Sequence, residues 1–192
     1  VMDIARSGTY PEGSTNWYVV KLLEDSMRQY GGLENQLFER VAAGDYATVR
    51  SLLDMGGAWT ESENAVTGNT PLFVAVSNND KDMAYLLLER GANPNKQNKL
   101  GNTPLMMAMD TADEKLLEML LKAGAQPNIQ NTKGDTALII AAKLGRMNVA
   151  RMLLLANADP NLRNYSGIGP LAVAQGENAR DVEQILRSFG AF

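Results

Sequence analysis

Neither cysteine nor histidine occurs among the 192 residues of this chain. Without cysteine there are no disulfides and no thiolate metal sites. Without histidine the commonest general base and metal ligand is missing. Serine nucleophiles therefore have no imidazole partner, and no spacing suggests a Ser–Lys or Thr mechanism. Hydrolase, transferase and redox chemistry all lack a site, so the chain is expected not to be an enzyme and to need no cofactor. No apolar run approaches the ~18 residues of a membrane span, so no membrane insertion is expected. Eighteen Lys and Arg stand against 22 Asp and Glu, a net charge of −4, and no Lys/Arg stripe is visible. Nucleic acid and anionic lipid both require clustered cations, so neither is expected as a partner. Val1-Met-Asp-Ile-Ala-Arg6 does not have the pattern of a signal peptide. A start on valine leads us to expect a trimmed or processed end. The compartment stays open, with the cytoplasm favoured.

What the chain has instead is a glycine that returns every 33 residues: Gly68-Asn-Thr-Pro-Leu72, Gly101-Asn-Thr-Pro-Leu105, Gly134-Asp-Thr-Ala-Leu138 and Gly167-Ile-Gly-Pro-Leu171. A fixed period of that length marks stacked supersecondary units that cannot fold singly. In the unit opening at Gly101, Thr103 suits a helix N-cap and Pro104 the first helical turn. Asp110-Thr-Ala-Asp113 interrupts the pattern. A second helix is predicted from about Asp113 to Ala123, with Leu116, Leu117, Leu120 and Leu121 as its apolar stripe. Gly124 then stands where a left-handed residue ends a helix. In the next unit Asn157 takes that place, and asparagine is the next best residue for it.

Thr-Pro-Leu-x-x-Ala, a helix bearing Leu-Leu, and Gly-Ala-x-x-Asn at this period resemble the ankyrin repeat. The resemblance covers 34–192 closely and 1–33 loosely. It implies an all-α solenoid, an elongated array of helix-turn-helix units joined by β-hairpin-like loops. The family's histidine after Thr-Pro-Leu is missing throughout, replaced by Phe73, Met106, Ile139 and Ala172. Apolar packing is expected to stand in for its hydrogen bonds between units. The units expected are 34–67, 68–100, 101–133 and 134–166, with 167–192 as a truncated C-terminal cap. Residues 1–33 read as a degenerate N-terminal cap with an insertion at Thr9–Asn16. A separate helical extension is the alternative there.

Isolated motifs dissolve into this frame. Gly167-Ile-Gly169-Pro-Leu-Ala172 fits a relaxed dinucleotide fingerprint, but no strand precedes it and it is the fourth copy of the repeat phrase. Asp110, Asp113, Glu114 and Glu118 lack calcium-loop spacing and read as a solvated face, so no metal is assigned. Asn164-Tyr-Ser166 is a glycosylation sequon that nothing else supports.

Stacked units of this kind create a concave face, and the resemblance implies that it binds proteins. The expected contact residues are the loop tips and the exposed side of each first helix. They are Val66, Asn69, Ser77, Lys99, Leu100, Asn102, Met107, Asp110, Lys133, Asp135, Lys143, Leu144, Tyr165 and Ile168. Leu100, Leu144, Tyr165 and Ile168 are apolar where a merely solvated tip would be polar. Tyr165 is the best anchor, because tyrosine is enriched at binding hot spots. The leading expectation is a monomeric module binding one protein, as an inhibitor or immunity-type protein or a secreted effector. Alternatives are an adaptor bridging two proteins, or the non-catalytic domain of a larger enzyme.

Overall fold

Threonine, proline and aspartate set where the helices begin. In this computed structural model, which describes residues 32–55, 59–111 and 113–192, the hydroxyls of Thr70, Thr103 and Thr136 each accept a backbone N–H three residues on, at 3.3 Å. Those caps start three of the first helices, and Pro71 and Pro104 sit just inside two of them. Asp45, Asp80 and Asp113 cap three of the second helices in the same way. Among the described residues ten α-helices result: α1 Gly32–Ala42, α2 Tyr46–Asp54, α3 Pro71–Ser77, α4 Lys81–Glu89, α5 Pro104–Thr111, α6 Glu114–Lys122, α7 Ala137–Lys143, α8 Met147–Leu155, α9 Pro170–Gly176 and α10 Arg180–Ser188.

They form five helix pairs. The first helices α1, α3, α5, α7 and α9 pack in series, and α6, α8 and α10 pack in series behind them. The interior is one continuous apolar seam. Leu72, Leu105 and Leu138 of the first helices are buried in it, as are Leu87, Leu120 and Leu153 of the second. Gly91, Gly124, Asn157 and Gly190 end second helices with positive φ, and Asn157 takes the left-handed position at φ 64°. Phe73, Met106 and Ile139 are buried, whereas Ala172, with no unit stacked beyond it, is exposed.

The loops between pairs are hairpin-like: the N–H groups of Asn64, Asn98, Asn131 and Asn164 donate to the carbonyls of Asn69, Asn102, Asp135 and Ile168, with no strand among the described residues. One feature differs from expectation: apolar packing is only part of what replaces the missing histidine, because loop amides supply hydrogen bonds between units. The predicted N-terminal cap falls outside the described residues over its first 31 positions, as does the predicted helix end Gly56-Gly57-Ala58.

Candidate protein-binding surface

Each loop is closed by one asparagine. Asn98 accepts the N–H groups of Leu100 and Asn102, both at 3.0 Å. Asn131 accepts those of Lys133 and Asp135, at 2.9 and 3.0 Å. Asn164 accepts those of Ser166 and Ile168, at 3.1 and 3.0 Å. The same amides then donate to the loop before: Asn98 to Asn69, Asn131 to Asn102 and Asn164 to Asp135, at 2.9, 2.9 and 2.8 Å. The sequon asparagine is therefore fully engaged in this ladder. Gln97 and Gln130 add a second ladder, each bonding a carbonyl of its own loop and one of the next. A third runs through Asn95, Asn128 and Asn161, which bridge to the helix ends of the following unit.

The backbones of adjacent tips also touch. The N–H groups of Lys99, Thr132 and Tyr165 donate to the carbonyls of Thr67, Leu100 and Lys133 at 3.0, 3.1 and 3.1 Å. This contact joins the positive φ of Gly68, Gly101 and Gly134 as a cause of the recurrent glycine. At Gly134 a Cβ would collide with the Tyr165 nitrogen and lie 2.7 Å from its ring. Gly68 and Gly101 are approached in the same way by Lys99 and by Thr132. Gly167 has nothing within 4 Å, so there only its φ of 77° calls for glycine.

The residues named from sequence fall into three rows. The tip row holds Val66, Lys99, Leu100, Lys133, Tyr165 and Ile168, all exposed, with Tyr165 at 72% and Leu100 at 63%. The Tyr165 ring begins where a Cβ on Gly134 would stand, and the rest of the side chain is exposed. Asn69, Asn102 and Asp135 are half-buried, and their side chains accept the ladder bonds instead of reaching outward. The far row holds Ser77, Asp110, Lys143 and Leu144, exposed at the C-terminal ends of α3, α5 and α7.

Between these rows lies a stripe the sequence reading recognised only at Met107. Val74, Met107, Ile140 and Val173 are half-buried and recur every 33 residues. Each stands three residues before Ser77, Asp110, Lys143 or Gly176, and so on the same helix face. They form an apolar floor. The other three stand at the same position of the 33-residue register as Met107, and that register is the signal that reveals them.

The acidic group at 110–118 is divided by the structure. The Asp113 carboxylate accepts from Lys81 Nζ at 2.6 Å and Asn79 Nδ2 at 3.3 Å, both in the preceding helix pair, while capping α6. The Lys81 bond above all, then the Leu116 N–H, holds its pKa down at about 2. Glu118 pairs with Lys122 and Glu114 accepts from Asn148. Among the described residues no three carboxylates converge as a metal site would need, and no described helix is long and apolar enough to cross a membrane.

Helix pairs stacked through glycine-hinged, asparagine-closed loops define a repeat protein whose exposed features are tips and groove. The family model described as "Ankyrin repeats (3 copies)" matches at residues 37–131, 94–164 and 110–191. The chain belongs to the ankyrin repeat family, whose general role is protein–protein interaction. Comparison with curated proteins gives no match.

Proposed function

We propose that this protein is an inhibitor-type module that engages one protein partner across its tip row, apolar floor and far row. The supporting observation is the exposure of Val66, Leu100, Tyr165 and Ile168 along tips that three hydrogen-bond ladders immobilise. An exposed apolar side chain on a rigid support has little entropy left to lose on binding. In this reading 34–67, 68–100, 101–133, 134–166 and 167–192 are the units, each lending one segment of the concave face. Of the fourteen residues named from sequence, the eleven other than the ladder acceptors Asn69, Asn102 and Asp135 are its contact set, with Val74, Ile140 and Val173.

The test is affinity for the partner recovered with this chain. Tyr165→Ala and Leu100→Asp are each expected to weaken binding by about 1–3 kcal/mol with little change in melting temperature. Unchanged affinity in both variants refutes the surface assignment. The complex is expected to be one-to-one; a ternary complex with two different proteins bound at once indicates the adaptor instead.

A further inference from the structure

The rows described above carry a charge order that restricts what can lie on them. At the 33-residue spacing the far row reads Ser77, Asp110, Lys143 and Gly176, and Glu177 follows Gly176 directly; all five are exposed. On the tip row Lys99 and Lys133 are exposed. The Lys99 ammonium donates to the Ala65 carbonyl. Neither Lys133 nor Lys143 forms an ion pair among the described residues. The Asp135 carboxylate, beside Lys133, is turned toward Asn164. The unit containing Ile140 is therefore flanked by two unpaired ammonium groups, with Asp110 exposed in the unit before it and Glu177 in the unit after, where Arg180 and Asp181 share the depression that Lys143 and Glu177 line, in a chain whose net charge is −4.

Shape adds a second restriction. The floor gives one apolar seat per unit (Val74, Met107, Ile140, Val173), and apolar tips stand beside three of those seats: Val66, Leu100, and Tyr165 with Ile168 in one loop; beside Ile140 the tip is Thr132 and Lys133. Helices packed side by side set successive seats about 8–10 Å apart. Seven residues of α-helix rise about 10.5 Å and return nearly to the same face. An apolar stripe about 100° wide or more covers two rows at once. An extended strand spans about 10 Å in three residues, an odd number, so alternate seats would face its wrong side.

We infer that the occupant of this groove is an amphipathic helix of the partner, apolar at seven-residue spacing, with acidic residues in its central heptad and basic or neutral residues in the flanking ones. Its central carboxylates sit between Lys133 and Lys143, and its flanking heptads meet Asp110 and Glu177. This rests on the proposed concave-face reading and names the partner's chemistry.

The test uses the full chain and two labelled synthetic helices of about 21 residues, three heptads. They share one apolar stripe and one net charge. One carries Glu in the middle heptad and Lys outside; the other has the order reversed. Fluorescence anisotropy is expected to show the acid-centred peptide binding at least about tenfold more tightly, a gap of roughly 1.4 kcal/mol. The double variant Lys133→Glu/Lys143→Glu is expected to invert the preference, with its circular dichroism unchanged. Equal affinity for the two peptides, preference for the reversed one, tighter binding of a proline-rich extended peptide, or no binding by either helix overturns the inference. If Leu100→Asp and Tyr165→Ala weaken both peptides equally while charge order has no effect, the inference falls and the concave-face reading stands. If a peptide binds and neither variant weakens it, both fall.

Discussion

Truncating Asn131 to alanine removes one rung of the ladder that joins the tips. Asn131 is 9% exposed and makes three hydrogen bonds, accepting from the Lys133 and Asp135 N–H groups and donating to Asn102 Oδ1. At a net value of about 1 kcal/mol each, three bonds amount to about 3 kcal/mol. Water can reach the Lys133 N–H, because that residue is exposed, so the expected loss is about 2–3 kcal/mol. Urea unfolding followed by circular dichroism measures it, and hydrogen exchange should accelerate at the Lys133 and Asp135 amides. Asn131→Asp separates the two roles of the side chain. It keeps both acceptor bonds, and the Asn102 amide can turn to donate, as Asn164 already does to Asp135 at 2.8 Å. Its expected cost is under about 1 kcal/mol. Asn102→Ala combined with Asn131→Ala should show a coupling of about 1 kcal/mol. A loss below about 0.5 kcal/mol for Asn131→Ala, or equal losses for the alanine and aspartate variants, would refute the claim that this amide joins the units.

Three further measurements probe the fold. Leu120→Ala, at a side chain with no exposed surface, should cost about 2–5 kcal/mol by urea unfolding; a neutral result would contradict the seam. Gly134→Ala and Gly167→Ala share a positive φ and so a common cost of about 1–2 kcal/mol. Gly134→Ala must lose more, since its Cβ meets the Tyr165 backbone while Gly167 meets nothing; equal melting temperatures would remove close approach as a reason for the repeat. Asp113 has its pKa lowered to about 2 in the folded chain, from about 3.9 for an unfolded aspartate. The unfolded state thus takes up its proton first as pH falls. The contribution is complete above about pH 4 and is lost as pH falls through about 2. Asp113→Asn should flatten unfolding free energy against pH across that window, and an unchanged slope would show that the Lys81 contact contributes nothing.

Much of the architecture is legible because its causes are local. Thr103, Pro104 and Gly124 act on their own helix ends, and Asn157 confirms the left-handed position at φ 64° without a glycine. What sequence reading loses is whatever acts between units. Asp113 reads as one of several solvated carboxylates until Lys81, 32 residues earlier, is found against it. Asn98, Asn131 and Asn164 look like ordinary loop composition, yet their amides do part of the work expected of apolar packing. Asn69, Asn102 and Asp135 read as free tip residues and are in fact ladder acceptors. Val74, Ile140 and Val173 look like core because apolar residues on a first helix usually are; only burial separates them from Leu72, Leu138 and Leu171.

The recurrent glycine links the framework to the surface. At Gly134 the absent Cβ lets the Tyr165 N–H reach the Lys133 carbonyl. The same absence leaves room for the tyrosine ring beside the Gly134 backbone. The rest of that side chain is 72% exposed. The framework is nearly constant from loop to loop. The side chains presented on it differ: Val66, Lys99, Thr132 and Tyr165 occupy one equivalent tip position in successive units. Specificity can therefore change residue by residue along the tips without disturbing the glycines and asparagines that hold them in place.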